Sequence, residues 1–322
     1  MNDDTRPGWY DTRRRSRGRD PGFNLLLAAV PIAACLLAVH AGEQLPTFRA
    51  ETRLVVLQAT VKNRRGELVT NLDKSAFTVF ENGRRQPIAL FRRDDVPVSL
   101  GLVIDNSGSM RSLRAKVEEA ALGFVRASNR LDDVFVLNFA DKARVDVPMT
   151  SDVRVLEAGI ARVDSIGGTA MRDAILMAED YLRQHASHDR KVLLVVTDGN
   201  DNASSASAAQ LRKAIERSDT AIFAVGLFRD DSPSASRGRE ELDHLSELTG
   251  GVAYYPTSID QIDSVVLEIA RQIRNEYTIA YAPVNQALDG TYRAIQLKVA
   301  GPDHSSVRTR PGYWATPAPV VP

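Results

Sequence analysis

The sequence predicts an α/β protein: a doubly wound, mostly parallel sheet inserted in a smaller β-sandwich-like domain built from N- and C-terminal flanking strands. Three observations predict it. Between residues 96 and 275, strand-length apolar runs alternate with helix-length amphipathic runs, the pattern of a parallel sheet with helices on both sides. One of these runs, Val192–Val196, is apolar without interruption, as in a strand covered on both faces. The flanks 50–95 and 276–314 read as β structure, and neither holds enough strands to be stable alone.

In the first flank, Leu54–Val61 is a strand closed by the turn Arg64–Glu67, and Phe77–Phe80 is another. Asn82-Gly83 supplies the positive φ angles of a tight hairpin, with Ile88–Phe91 as the returning strand. Arg92-Arg93-Asp94-Asp95 is a charged linker. The α/β segment opens with strand Leu100–Ile104 and helix Leu113–Ala127, whose Val117, Ala120, Ala121, Phe124 and Val125 share one face. Strand Val134–Phe139, a more polar strand Arg144–Val147, and helices Val153–Val163 and Met171–Gln184 follow. After Val192–Val196 come helix Ala208–Arg217, strand Ala221–Leu227, and an exposed loop over Ser232–Gly238. Helix Arg239–Leu248, strand Val252–Tyr255 and helix Ile259–Arg274 complete the unit. The second flank has strands Tyr277–Tyr281 and Ala294–Val299 with period-two alternation, and a third over Val307–Trp314. These are expected to pair with the first flank. Residues 315–322 form a Pro-rich loose tail.

Bulk properties bound the function. Lys and Arg number 41 against 41 Asp and Glu, which gives no reason to expect a nucleic-acid partner. The one cysteine, Cys35, lies in the N-terminal apolar run, so a disulfide framework and a thiolate metal site are excluded. Residues 1–41 read as a signal peptide or N-terminal anchor. Arg13, Arg14, Arg15, Arg17 and Arg19 precede the apolar run Phe23–Val39, and Val39-His40-Ala41 offers small residues for cleavage. The rest of the chain is therefore expected outside the cytoplasm: periplasmic, secreted, or held at the membrane only through this segment.

Chemistry concentrates where strands end. In an open parallel sheet, ligands bind beyond the carboxyl ends of strands at the point where the winding reverses. Asp105 ends the first strand and leads into Ser107 and Ser109; Asp198 follows Val192–Val196; Gly167-Gly168-Thr169 is a third loop bearing a hydroxyl. If the first and Val192–Val196 strands adjoin, both carboxylates face one crevice and repel each other. A helix N-terminus offers only about half a positive charge, whereas a divalent cation cancels both. Hydroxyls and carboxylates without histidine or cysteine suit a hard ion. Two carboxylates among neutral hydroxyls suit Mg²⁺, which keeps waters, better than a carboxylate-rich Ca²⁺ cage; Mn²⁺ and Ca²⁺ are the alternatives. An acidic side chain of a partner can replace such a water.

Asp105-Asn106-Ser107-Gly108-Ser109-Met110, Gly167-Gly168-Thr169 and Thr197-Asp198-Gly199 resemble the metal-ion-dependent adhesion site of von Willebrand factor type A domains, over roughly Val96–Arg274. The flanks, with Asp73–Gly83 and Arg308–Tyr313, resemble bacterial exported proteins related to that family. The resemblance implies a Rossmann-like sheet in which the first and fourth strands adjoin. It implies that Ser107, Ser109 and Thr169 coordinate the metal, with Asp105 and Asp198 ligating it directly or through water. The protein it describes is no enzyme but an adhesion-type module whose metal engages an Asp or Glu carboxylate of a protein partner.

Each feature also has a plainer reading. Ser109 is a candidate helix N-cap, Asp105 a candidate acceptor for loop amides, and Asn200-Asp201-Asn202 either shapes the rim of the site or caps the next helix. The alternative within binding proteins is an envelope scaffold that binds through its β domain, with a purely structural metal. A serine nucleophile needs a base, yet His185 and His188 follow the C-terminal end of their helix, His244 lies inside one, and His304 is in the last flank. The Gly-x-Ser-x-Gly elbow and the phosphate loop are both absent. A metal-dependent phosphoesterase using Asp105 is the residual enzyme reading.

Overall fold

The computed structural model describes residues 53–160, 166–230, 232–301 and 304–317. The export segment 1–41 with Cys35, the start of the first flank before Arg53, and residues 318–322 of the tail lie outside them. The strands in the first flank are β1 (Val55–Asn63), β2 (Phe77–Glu81), β3 (Arg84–Gln86) and β4 (Ile88–Arg92). The α/β segment runs β5 (Ser99–Asp105), α1 (Arg114–Ala127), β6 (Asp133–Phe139), β7 (Ala143–Thr150), α2 (Val153–Ile160) and α3 (Met171–His185). It continues with β8 (Lys191–Thr197), α4 (Ala208–Ile215), β9 (Ala221–Gly226), α5 (Pro233–Thr249), β10 (Ala253–Tyr254) and α6 (Ile262–Arg274). The second flank supplies β11 (Tyr277–Tyr281), β12 (Tyr292–Val299), β13 (His304–Arg308) and β14 (Gly312–Trp314).

The central sheet has the order β10-β9-β8-β5-β6-β7. All neighbours are parallel except β7, which pairs antiparallel with β6 at the edge. β5 lies between β6 and β8, so the winding reverses there and a crevice opens beyond its carboxyl end. Alternation along β5 sends Leu100, Leu102 and Ile104 into the layer of α1, α2 and α6, against Phe124, Leu156 and Ile269. Val103 faces the opposite layer, with Ile175 of α3, Leu211 of α4 and Leu242 of α5. Both faces are covered, which is why β8 carries no polar residue between Val192 and Val196.

The flanks form two further sheets, β13-β1-β11-β4 and β14-β12-β2-β3, each combining strands from both ends of the described chain. Leu57, Ala59, Phe77, Val79, Tyr277, Ile279 and Tyr281 fill the space between them. Glu81 is buried there, and its Oε2 accepts hydrogen bonds from Tyr281 Oη at 2.8 Å and Tyr313 Oη at 2.9 Å. Asn82 and Gly83 adopt φ of 48° and 77°, the hairpin turn that Asn-Gly specifies.

Three local expectations are corrected. The strand returning from that hairpin is β3, not Ile88–Phe91; the chain changes sheet after Pro87, and β4 pairs with β11 instead. Proline has no N–H to continue a ladder, so the break falls there. The single strand expected over Val307–Trp314 is likewise two, β13 and β14, in different sheets with Pro311 between them. Ser232–Gly238 is not a loop but the cap and first turns of α5: Ser232 Oγ accepts from the Ala235 amide at 3.2 Å, and Pro233 occupies the first helical position.

One buried charge makes stability depend on pH. The Glu179 carboxylate of α3 accepts from Ser218 Oγ (2.7 Å) and Thr220 Oγ1 (3.2 Å) through Oε2, while Oε1 is enclosed without a partner. Burial pushes its pKa up to about 7. A carboxyl that holds its proton more tightly when folded loses stability as pH rises from the unfolded value near 4.5 to about 7, and the penalty stays above that. Glu179→Gln is expected to stabilise the protein by about 1–2 kcal/mol at pH 8 and to be neutral below pH ~4. Urea unfolding at the two pH values checks it.

Candidate metal and ligand site

The side chains selected from sequence converge at the carboxyl ends of β5 and β8, which pair from Ser99↔Lys191 to Ile104↔Val196. Asp105 is 0% exposed. Its Oδ1 accepts from the Ser107 amide at 2.7 Å and its Oδ2 from Thr197 Oγ1 at 2.6 Å. The turn then places Ser107 Oγ 3.0 Å from Ser109 Oγ, and Ser109 Oγ donates to Asp198 Oδ1 at 2.7 Å. Hydroxyl to hydroxyl to carboxylate, these groups form one continuous chain of oxygens. Ser109 is no N-cap: α1 begins at Arg114, after a 3-10 turn over Gly108–Ser112. Thr169 is buried beside the same crevice, and a Cβ on Gly199 would lie 3.2 Å from its Oγ1, so glycine is what lets the β8 loop approach that hydroxyl.

Backbone contacts lock the three loops together. The Gly108 amide donates to Gly167 O (3.0 Å) and the Ile166 amide to Asn106 O (3.0 Å). Asn202 Oδ1 accepts from the Thr169 amide at 2.9 Å, and Asp141 Oδ1 from the Gly168 amide at 2.7 Å. Asp201 Oδ2 accepts from the Arg172 amide at 2.8 Å, and Ser204 Oγ from the Asp173 amide at 3.0 Å. Asp201 and Asn202 therefore cap α3 and its preceding loop, not the next helix; Ser207 caps α4. Thr197 and Asp141 are the participants that sequence reasoning passed over. Thr197 carried a signal, a hydroxyl beside the motif aspartate, while Asp141 is brought in only by the tertiary fold.

Gly167 has φ 98°, and an added Cβ would meet Asp141 Oδ2 at 2.3 Å and Cγ at 2.8 Å. Gly167→Ala is expected to cost about 1–3 kcal/mol through backbone strain and displacement of Asp141. Thermal melting reads the loss.

The electrostatics are those of a site short of positive charge. Burial pushes Asp105 up to about 6, overcoming the hydrogen bonds from Thr197 and Ser107, and the Asp198 charge adds to the rise. Burial also raises Asp198, against the Ser109 hydrogen bond and the Arg229 charge. In the same turn Asn106 Oδ1 is a buried acceptor without a partner. Among the described residues no group of three or more His, Cys, Asp and Glu side chains is placed to hold a metal. A cation here must therefore use hydroxyl oxygens beside two carboxylates. His188 lies at the opposite end of the sheet, where its amide donates to Ser99 Oγ at the start of β5 (3.0 Å), and His185 stacks on Tyr181 of α3.

A doubly wound sheet with carboxylates and hydroxyls converging at its switch point defines a class of α/β ligand-binding domain. Residues 100–200, from β5 into the loop after β8, match the family model of the von Willebrand factor type A domain. No curated protein matches the sequence. Among solved structures, a von Willebrand factor type A protein from Catenulispora acidiphila is 14% identical, with 83% of this chain and 74% of that one covered and a TM-score of 0.49. Proximal thread matrix protein 1 of the mussel byssus is 17% identical over 60% of this chain, with a TM-score of 0.47; the match spans 49% of the mussel chain. An aerotolerance-related membrane protein from Bacteroides fragilis is 20% identical over 55% of this chain and 98% of that one, with a TM-score of 0.45. Among the described residues no helix is long and apolar enough to cross a membrane.

Proposed function

We propose that this is an extracytoplasmic binding protein, not an enzyme, whose α/β domain holds a divalent cation, Mg²⁺ by preference, and engages a carboxylate of a protein partner. The observation that carries the reading is the convergence of Asp105, Ser107, Ser109 and Asp198, with Thr169 alongside, at the junction of β5 and β8. The donor set is all oxygen, the charge is two carboxylates in a desolvated crevice, and Ser109 opens to solvent. These properties fit a hard dication. Ser107, Ser109 and Thr169 would hold it with their hydroxyls, and Asp105 and Asp198 directly or through water. When bound, the ion supplies positive charge and an exchangeable position for an incoming carboxylate.

The chain's own residues do the rest. Thr197 and the Ser107 amide fix the Asp105 carboxylate, so the rotamer is set before any ligand arrives. Asn202 and Asp141 hold the Thr169 loop. The export reading of residues 1–41 supplies the compartment. The test is capture from an envelope extract with and without chelator, alongside circular dichroism to show that the chelated protein stays folded. Partner retention that disappears with the metal and returns with millimolar Mg²⁺ is expected; retention indifferent to chelation in a folded protein would overturn the reading and favour a β-domain scaffold.

A further inference from the structure

We propose that Arg229 is a second anchor for the ligand, and that the partner presents an acidic side chain next to an apolar one. The inference rests on the metal-site reading above and adds the chemistry of what that site selects. Arg229 lies in the loop after β9, and its guanidinium Nη2 donates to Ser109 O at 3.2 Å and to Ser112 Oγ. It is thus pinned to the same turn whose Ser109 Oγ reaches Asp198. Its charge acts on Asp198, yet among the described residues it makes no ion pair with a carboxylate. Two further carboxylates are held by neutral backbone amides and keep their charge: Asp230 accepts from the Ser232 amide (3.1 Å), and Asp141 from the Gly168 amide across the crevice (2.7 Å).

Charge arithmetic gives Arg229 a role that a loop tether alone does not need. A dication facing Asp105 and Asp198 is a neutral cluster, and a neutral cluster has little preference for anions. With Asp141 and Asp230 nearby, the crevice would repel an anion; the guanidinium offsets that repulsion on the Ser109 side and can give an incoming carboxylate a charge-assisted hydrogen bond. On the other rim Ile166 is 66% exposed while its amide is tied to Asn106 O. An isolated exposed aliphatic residue is unremarkable by itself, but this one borders the position where the ligand would enter. It offers contact to an apolar neighbour of the acidic residue.

The experiment uses the full chain, Mg²⁺ and the peptide acetyl-Gly-Asp-Leu-Gly-amide. Mg²⁺ affinity is measured by isothermal titration, and peptide binding to the Mg²⁺-saturated protein by saturation-transfer difference NMR. Arg229→Ala is expected to tighten Mg²⁺ roughly three- to tenfold, because a repelling cation is removed. The same change is expected to weaken the peptide roughly five- to tenfold. Arg229→Lys should restore wild-type Mg²⁺ affinity and only part of the peptide affinity, since an ammonium cannot reproduce the planar fork. The Leu methyl groups should show the strongest transfer, and the peptide with Asn in place of Asp should not bind. If Arg229→Ala weakens metal and peptide alike, Arg229 merely buttresses the Ser109 turn and the inference falls. Unchanged peptide binding in Arg229→Ala, or no transfer to Leu, overturns it as well. Failure of the wild type to bind Mg²⁺ is a different result: it removes the metal site itself and is seen before any variant is compared.

Discussion

Asp105→Asn is expected to abolish the Mg²⁺-dependent rise in melting temperature and, at the same time, to make the metal-free protein more stable. The first effect follows from removing the buried carboxylate around which the proposed ligands are arranged. A ligand at ~100 times its dissociation constant stabilises the folded state by roughly 2.7 kcal/mol, and the variant should lose this whole increment. The second effect has the opposite sign. Asp105 is fully buried, and its pKa is pushed up to about 6 by desolvation, so its charge is a cost whenever no cation answers it. In metal-free wild type the contribution of Asp105 should fall as pH rises from about 4 to about 6 and then stay level, because the folded state releases that proton later than the unfolded chain. Asparagine fits the same place: the Ser107 amide still donates to its oxygen, and the Thr197 hydroxyl can turn to accept from its amide. The metal-free variant should therefore gain about 1–2 kcal/mol over wild type at pH 8, gain nothing at pH 4, and keep only the pH dependence that Glu179 imposes on both proteins. Melts at pH 8 and pH 4, with and without 5–10 mM Mg²⁺ (about a hundred times a typical weak-site constant), check both halves. A variant that still responds to Mg²⁺ would falsify the assignment of Asp105.

The elements that sequence made plain are those in which one strong signal dominates. β8 is legible because five consecutive apolar residues admit a strand covered on both faces, and α1 because its five inward residues recur at helical spacing. The five proposed ligands were legible because each ends a strand or sits in a glycine loop, where a polar side chain has no structural reason to be hydrophobic. What stayed hidden depends on which of two sheets a short strand joins. Ile88–Arg92 and Arg84–Gln86 both look like a hairpin return, and only Pro87 signals that the chain crosses between them. Ser232-Pro233 was a helix start in plain view, obscured by a polar run that shares its composition with loops. Asp141 is different in kind. It lies 27 residues from the amide it holds, in the turn between β6 and β7, and nothing local distinguishes it from a surface aspartate.

Arg190→Met is expected to destabilise the whole described unit by about 3–5 kcal/mol. Arg190 precedes β8 and Glu276 precedes β11, so their ion pair joins the α/β sheet to the β sandwich. Both side chains are less than a tenth exposed, and Glu276 Oε1 also accepts from Thr60 Oγ1 of β1 at 3.2 Å. Burying two charges costs nearly what their attraction returns, but removing one leaves the other desolvated, with the Thr60 hydroxyl as its remaining hydrogen bond and only the Arg308 charge beyond it. The loss should fall on both layers together, because the described residues belong to one compact unit; urea unfolding should show one transition moved to lower concentration, not two. The decisive comparison is with Arg190→Met combined with Glu276→Gln. If the penalty is the stranded carboxylate, the double variant recovers most of the stability lost in the single one, and a double-mutant cycle gives a coupling of about 2–3 kcal/mol. If instead Arg190 matters for the packing of its aliphatic stem, Glu276→Gln adds its own cost and nothing is recovered. The first outcome would place the cost in the stranded charge and not in the lost attraction, so that an uncharged pair at these two positions still lets a sandwich assembled from distant parts of the chain fold together with the domain inserted in it.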